Sequence, residues 1–213
     1  MKNKLMVIIL WVYVLVFAMV VFTFPDTIPI HFNVYGEVDQ YGSKYIAFFL
    51  VIIPVLTYYG MNLDKRIDPK KNKRVNNEIF DFFRNMLTIF FIGLGGYFLV
   101  SFGYPDVVKN ISPAFVLGLL LIVMGNYMPR IPQNYTLGIK TPWTLYSEYI
   151  WKKTHRVSGY LFVGTGVITF ISSFFKAEIS FIVLMISVFV SAFGSLVYSY
   201  FVYKKEEKKN YNN

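Results

Sequence analysis

Near its N-terminus the chain carries the uncharged apolar run LMVIILWVYVLVFAMVVFTFP, from Leu5 to Pro25. A bilayer core about 30 Å thick requires about 20 apolar residues in an α-helix, so this run is long enough to cross it. Lipid offers no partner to unpaired backbone groups, which favours a helix over irregular chain. The run is longer than the apolar core of a typical signal peptide, and no small-residue cleavage site precedes Pro25. We therefore predict a retained transmembrane helix.

Further stretches of similar length and composition follow along the chain. They are Tyr45 to Leu63, Asn85 to Pro105, Asn110 to Pro129, Val157 to Phe175 and Ile179 to Tyr203. Their nearly continuous hydrophobicity is typical of helices and differs from the alternating pattern of membrane β-barrel strands. The sequence thus predicts an all-α, multi-pass protein of the cell membrane with six transmembrane helices.

The composition of the chain supports this fold class. Of 213 residues, 55% are apolar and 15% are charged, against roughly 25% charged residues in soluble domains. The absence of cysteine excludes disulfides, thiolate nucleophiles and cysteine-ligated metal centres. The net charge of +9 comes from blocks of basic residues that flank the apolar spans. Such blocks are typical of membrane-topology signals, and we expect no direct binding of nucleic acid.

The basic residues also predict the orientation of the chain. With the N-terminus inside, 18 of the 21 Lys and Arg residues fall in cytoplasmic segments. The three external ones are Lys44, Lys109 and Lys176. Because positively charged loops stay in the cytoplasm, we predict that both termini are cytoplasmic. We interpret the basic stretch DKRIDPKKNKR, residues 64–74, as a topology anchor that also contacts lipid headgroups.

These spans and loops define the predicted domain organisation. Residues 1–63 form a helical hairpin with an external cap, residues 64–85 a basic cytoplasmic loop, residues 86–203 a four-helix membrane domain and residues 204–213 a charged cytoplasmic tail. Long structureless loops are uncommon in compact proteins unless they are functional. We therefore look for function in the external segment and in the second cytoplasmic loop.

The external segment, residues 25–44, reads PDTIPIHFNVYGEVDQYGSK. Its prolines end the first helix, and its glycines permit tight turns. Aromatic side chains beside carboxylates could bind a cationic or amphipathic ligand, although aromatic belts at membrane interfaces have the same composition. The spacing matches no standard metal motif, and we predict neither a metal nor a cofactor. The residues predicted to face an external ligand are Pro29, His31, Phe32, Asn33, Gly36, Asp39 and Lys44.

The second cytoplasmic segment, residues 125–159, reads GNYMPRIPQNYTLGIKTPWTLYSEYIWKKTHRVSG. Thr141 followed by Pro142 is a typical N-cap and first turn. The apolar stripe of Trp143, Tyr146, Ile150 and Val157 predicts an interfacial helix that leads into the fifth span. The polar residues here could bind a ligand or partner, or could cap the ends of broken helices. The residues predicted to face a partner are Asn126, Pro129, Asn134, Gly138, Lys140, Thr141, Pro142, Trp143, Trp151, Thr154, His155, Arg156 and Gly159.

The sequence offers little support for catalysis or ion pumping. His155 lies seven residues after Glu148, on roughly the same helix face, which could orient it as a general base. No nucleophile elbow, paired acid motif, zinc-protease motif or phosphate-binding loop accompanies it, and we predict no enzyme and no catalytic residue. No predicted span contains a charge, which argues against an ion-coupled pump. Four serines in the last span predict a helix-packing face. They are Ser187, Ser191, Ser195 and Ser199.

The order and spacing of residues 125–159 resemble the signature of the SdpI family of bacterial membrane proteins. The external pattern PxxIPIHFNxxGxxDxYGSK, residues 25–44, resembles the small N-terminal module of unknown function that often accompanies that family. The resemblance implies immunity to a secreted toxin peptide that attacks the membrane and, in some members, capture of a transcriptional repressor. It therefore implies a toxin partner outside and a repressor partner inside, besides the lipid bilayer. A small transporter of an amphipathic peptide or lipid and an intramembrane enzyme are the alternatives.

Overall fold

The structure, a computed structural model, describes residues 2–67, 77–103 and 111–211. Most of these residues are helical. The helices are α1 (Lys2–Phe22), α2 (Phe48–Ile67), α3 (Asn77–Gly103), α4 (Ala114–Tyr127), α5 (Pro142–Tyr146), α6 (Glu148–Ser172) and α7 (Ala177–Tyr211). Two strands, β1 (Thr27–Phe32) and β2 (Val38–Ser43), lie between α1 and α2, and 3₁₀ turns occupy Lys44–Ala47 and Met128–Arg130.

Among the described residues, four helices are long and apolar enough to cross a bilayer. They are α1, α2 with its preceding turn, α3 and α7. The segment Ala114–Arg130, which contains α4, is a shorter apolar helix. Helix α6 has 25 residues, but charged side chains occupy its N-terminal third. The prediction of a helical multi-pass membrane protein is confirmed, while the count of six crossings stays a prediction.

The external segment folds as a β-hairpin, which the all-α prediction did not include. The strands β1 and β2 pair antiparallel, with Thr27 opposite Ser43, and the register shifts after Pro29. At the turn, the side-chain oxygen of Asn33 accepts hydrogen bonds from the backbone N–H groups of Tyr35 and Glu37, at 2.9 and 3.0 Å. Strands of six residues give only a brief alternation of polar and apolar side chains, and an internal proline weakens that signal further.

The hairpin is fixed to the outer ends of the first two helices. Ile28 and Phe24 are buried in a cluster with side chains of α1 and α2, among them Phe17 and Val51. The ammonium group of Lys44 donates to the carbonyl of Phe24 at 3.1 Å. Burial of these apolar side chains supplies the main favourable free energy for holding the cap in place.

Helices α4 and α6 run antiparallel and are in close backbone contact. Gly125 lies opposite Gly159, and Gly118 lies opposite Gly166. A Cβ atom built on Gly125 would be 2.6 Å from the carbonyl oxygen of Gly159, and one on Gly166 would be 2.6 Å from that of Gly118. Only glycine allows two helix backbones to approach this closely.

On its other side, α6 packs against α7 through small hydroxyl residues. Ser191, Ser195 and Ser199 are almost completely buried, and Ser187 is half-buried. The hydroxyl of Thr165 donates to the carbonyl oxygen of Ser187 at 3.1 Å, which links the two helices directly. The predicted serine packing face on the last helix is therefore confirmed.

The predicted interfacial helix begins at Pro142 with Thr141 as its N-cap, but it does not run without a break into the fifth span. The backbone leaves the helical region at Ser147 (φ −122°, ψ 125°), so that α5 ends at Tyr146 and α6 begins at Glu148. The hydroxyl of Ser147 accepts from the N–H of Ile150 at 3.4 Å and caps the new helix. Serine favours this N-cap position over a helix interior because its side chain satisfies a terminal backbone donor.

Parts of several predictions lie outside the described residues. These parts include residues 68–76 of the predicted basic loop 64–85. The rest of that predicted loop is helical, because α2 continues to Ile67 and α3 begins at Asn77. They also include the predicted end of the third span at Pro105, the predicted start of the fourth at Asn110, and the external Lys109.

Candidate functional site

The segment between α4 and α6 is organised around a buried aromatic pair. We call residues 128–156 the elbow. Trp151 and His155 are fully buried, and their rings stack with centroids 4.0 Å apart. The indole N–H of Trp151 donates to the carbonyl of Ile131 at 2.8 Å, which ties α6 to the chain that leaves α4. The pair therefore holds the start of α6 against the chain that follows α4.

Both ring nitrogens of His155 are engaged by the backbone. Its Nε2 accepts from the N–H of Ile139 at 3.1 Å, so this nitrogen carries no proton. Its Nδ1 then carries the proton and donates to the carbonyl of Trp151 at 2.9 Å. Burial lowers the pKa of His155 to about 4, which keeps the ring neutral at physiological pH. The suggested partner Glu148 instead pairs with Lys152 at 2.9 Å, so the geometry does not support a general base at His155.

Three other residues predicted to face a partner shape the turn of the elbow: Gly138, which is exposed, and Asn134 and Thr141, which are buried. Gly138 has φ +108°, and a Cβ there would contact Nε2 of His155 and lie 3.1 Å from the ring of Trp151. Asn134 is buried, and its amide donates to two backbone carbonyls while its oxygen accepts from two N–H groups. Thr141 is the N-cap of α5. These residues maintain the turn, as broken helix ends require.

The remaining predicted residues divide into exposed and buried groups that do not converge on one point. The exposed group is Asn126, Pro129, Lys140, Pro142 and Arg156. Thr154 and Gly159 are buried in helix contacts of α6. The predicted residues of this segment are therefore divided between the buried interior of the elbow and its exposed surface.

Within the elbow, Trp143 contacts α7. Its indole N–H donates to the hydroxyl of Ser199 at 2.8 Å, and its ring stacks on Tyr203 with centroids 5.9 Å apart. The hydroxyl of Ser147 donates to the carboxylate of Glu206 at 3.2 Å. These contacts border an open groove of about 1090 Å³ between α5, α6 and α7, which we call the inner groove. It is lined by Pro142, Trp143, Tyr146, Ser147, Ile150, Tyr203, Glu206 and Glu207.

The hairpin presents a second set of polar side chains. His31 Nδ1 lies 2.6 Å from Asp39 Oδ1, and both side chains are substantially exposed. Asn33 and Gly36 build the turn, while Pro29 and Phe32 are half-buried. Lys44, predicted to face a ligand, has a side chain that is only 12% exposed and forms an ion pair with Asp26 at 3.2 Å. The solvent-facing part of the predicted set is therefore centred on His31 and Asp39.

A buried arginine in α3 was not singled out in the sequence. Arg84 is 2% exposed, and its guanidinium donates to Asn62 at 2.6 Å and pairs with Asp81 at 3.0 Å. It also lies 4.4 Å from the ring centre of Tyr58 in α2. Buried charges in membrane helices are uncommon and need such partners. The sequence did contain a sign of this burial. In DFFRN, residues 81–85, the arginine lies next to two phenylalanines and apart from the basic block 64–74.

Comparison with known proteins relates both segments to described families. A model of the SdpI/YfhL protein family matches residues 130–199, and a model of a domain of unknown function (DUF1648) matches residues 6–57. The chain is 30% identical over 205 residues to the immunity protein SdpI of Bacillus subtilis (strain 168). This similarity covers 96% of the chain and 97% of the relative. No solved structure matches the chain at a significant level.

Proposed function

The chain belongs to the SdpI/YfhL protein family, and from this premise we propose that it protects its cell against a secreted, membrane-active toxin peptide. The observation that carries the proposal is the 30% identity, over nearly the whole of both chains, to a protein named as an immunity protein. The family is not an enzyme family, and the protein is a multi-pass protein of the cell membrane.

In this proposal the chain crosses the membrane six times, with both termini in the cytoplasm. The α4 segment of 17 residues is about 25 Å long at 1.5 Å per residue, and it packs along the longer α6. The hairpin turn approaches Ala177 at the start of α7, whereas Ser147 in the elbow contacts Glu206 near the end of α7. This arrangement of hairpin and elbow at opposite ends of one spanning helix supports opposite sides of the membrane.

Cysteine labelling tests this topology, and the chain contains no native cysteine. Tyr35 in the hairpin and Tyr146 in α5 are 61% and 87% exposed, so cysteine at either position leaves the core intact. We expect a membrane-impermeant maleimide to label Tyr35→Cys on intact cells, and to label Tyr146→Cys only after the cells are permeabilised. Labelling of Tyr146→Cys on intact cells would contradict the proposed orientation.

The proposal assigns different tasks to the two sides of the protein. Outside, the exposed His31 and Asp39, flanked by the exposed rings of Tyr35 and Tyr41, meet the toxin peptide. Inside, the exposed face of the elbow, which carries basic and aromatic residues, meets a cytosolic repressor. That inner face includes Lys140, Tyr149, Lys153 and Arg156. The separation of the two faces supports two independent partners.

Expression in a sensitive host tests the immunity proposal. Cells that produce the protein should survive a higher concentration of the matching toxin, while the toxin in the medium stays intact and undiminished. The variant His31→Gln/Asp39→Asn should lose most of this protection, because it removes the exposed polar pair. Glu178→Gln, also near the outer end of the protein, serves as the matched control and should protect like the wild type.

Other outcomes of that experiment would contradict the immunity proposal. Efflux of a labelled amphipathic peptide without protection would indicate a transporter, and a cleaved or modified toxin would indicate an enzyme. If elbow variants such as Lys140→Gln abolished protection as completely as the hairpin variant, at normal abundance, the assignment of the toxin to the outer face would be wrong.

A further inference from the structure

The inner groove contains a carboxylate whose charge is not balanced by an ion pair. Glu206 receives a hydrogen bond from the hydroxyl of Ser147, and no ammonium or guanidinium group of the described chain lies within 4 Å of it. Its neighbour Glu207, by contrast, pairs with Lys204 at 2.8 Å. The attraction between two charges weakens with distance and with screening by water. A cation that enters the groove would come close enough to the carboxylate of Glu206 to bind it.

Aromatic side chains form the walls beside this carboxylate. The ring of Trp143 is held in place by its hydrogen bond to Ser199 and by stacking on Tyr203. Tyr146 also lines the groove, although it is the most exposed large side chain of the segment. The electron-rich faces of such rings attract organic cations, most strongly where a carboxylate lies close by. The rings of Trp143 and Tyr203 are therefore held in place before a ligand arrives.

We propose that the inner groove binds a lipophilic organic cation, that is, a ligand with one positive charge on an aromatic or aliphatic body. The volume of about 1090 Å³ is close to the upper end of the range for small-molecule sites, roughly 300–1,000 Å³. An inorganic ion would leave the aromatic and apolar walls unused, and an anionic ligand would be repelled by Glu206. This site is independent of the proposed immunity, which places the toxin at the opposite end of α7.

Binding of tetraphenylphosphonium to the purified full-length protein in dodecylmaltoside tests this site. Tetraphenylborate has nearly the same size and shape but the opposite charge, so it serves as the matched ligand control. In equilibrium dialysis against protein-free micelles, we expect saturable binding of the phosphonium at one site and no saturable binding of the borate. Equal binding of both ions, or binding that does not saturate, would overturn the proposal.

Two variants locate the binding site in the groove. Glu206→Gln removes the charge but retains an acceptor for Ser147, and Tyr146→Ala removes an exposed ring without disturbing the core. Each should weaken phosphonium binding about fivefold or more, which is the effect of a contact of about 1 kcal/mol. Glu178→Gln, near the other end of the same helix, should bind like the wild type. Unchanged affinity in both groove variants, with unchanged melting temperatures, would reject the site.

Discussion

Replacing Gly159 by alanine should separate α4 from α6 and markedly destabilise the protein. The added Cβ would lie 2.7 Å from the carbonyl oxygen of Gly125 and 3.2 Å from the ring of Pro129. The closest of these atoms belongs to the backbone, so the strain cannot be relieved by rotating a side chain. Overpacking of a tight contact typically costs 1–3 kcal/mol, and we expect about 3 kcal/mol here. The melting temperature of the protein in detergent measures the loss.

Gly164 provides a matched control in the same helix. A Cβ built there meets no other atom within 4 Å, so alanine causes no steric conflict. Because alanine favours a helix interior over glycine by about 1 kcal/mol, Gly164→Ala should melt at the wild-type temperature or above it. Equal melting temperatures for the variants at Gly159 and Gly164 would contradict the close backbone contact between α4 and α6.

The glycine contact illustrates how much of the fold the sequence contains. The spacing of seven residues between Gly118 and Gly125 recurs between Gly159 and Gly166, so the pattern could have been found by inspection. The pairing of these glycines across two helices, however, depends on the antiparallel arrangement, which hydropathy does not encode. Apolar length predicted where the helices lie along the chain, because the bilayer imposes that length. It did not predict which helices pack together.

The inner groove could not have been predicted for a related reason. Ser147 and Glu206 are 59 residues apart, and the acidic residue lies in a segment interpreted only as a charged tail. The helix break at Ser147 turns α5 so that Trp143 reaches Ser199 on α7. In a continuous helix, Trp143 and Ile150 would instead lie on one helix face, seven residues apart. A single capping residue thus decided the position of the groove.

The polar residues of the elbow could either bind a ligand or partner or cap the ends of broken helices. For several of them the structure favours the second interpretation. Asn134, Thr141 and His155 are buried and make hydrogen bonds to the backbone. For these three residues burial favours a cap over a ligand, because most buried polar groups are satisfied by their immediate neighbours. The sequence shows which residues are polar, but the fold determines which of them remain available to a partner.

Acidification should destabilise the elbow through His155. Burial lowers the pKa of this residue from about 6.5 to about 4, so the unfolded chain binds a proton at a higher pH than the folded one. The stability contributed by the neutral ring is therefore fully present above pH 6.5 and is lost as the pH falls towards 4. The loss should reach about 2 kcal/mol by pH 5, since each pKa unit corresponds to about 1.4 kcal/mol. A protonated Nε2 could no longer accept from the N–H of Ile139.

A variant of His155 allows this effect to be separated from the titration of carboxylates. His155→Gln can keep an acceptor for Ile139 but loses the ring that stacks on Trp151, so it should melt at a lower temperature at pH 7. Its melting temperature should then change less between pH 7 and pH 5 than that of the wild type. An unaltered slope in His155→Gln would show that the acid sensitivity arises elsewhere, and that the imidazole contributes to the elbow by packing alone.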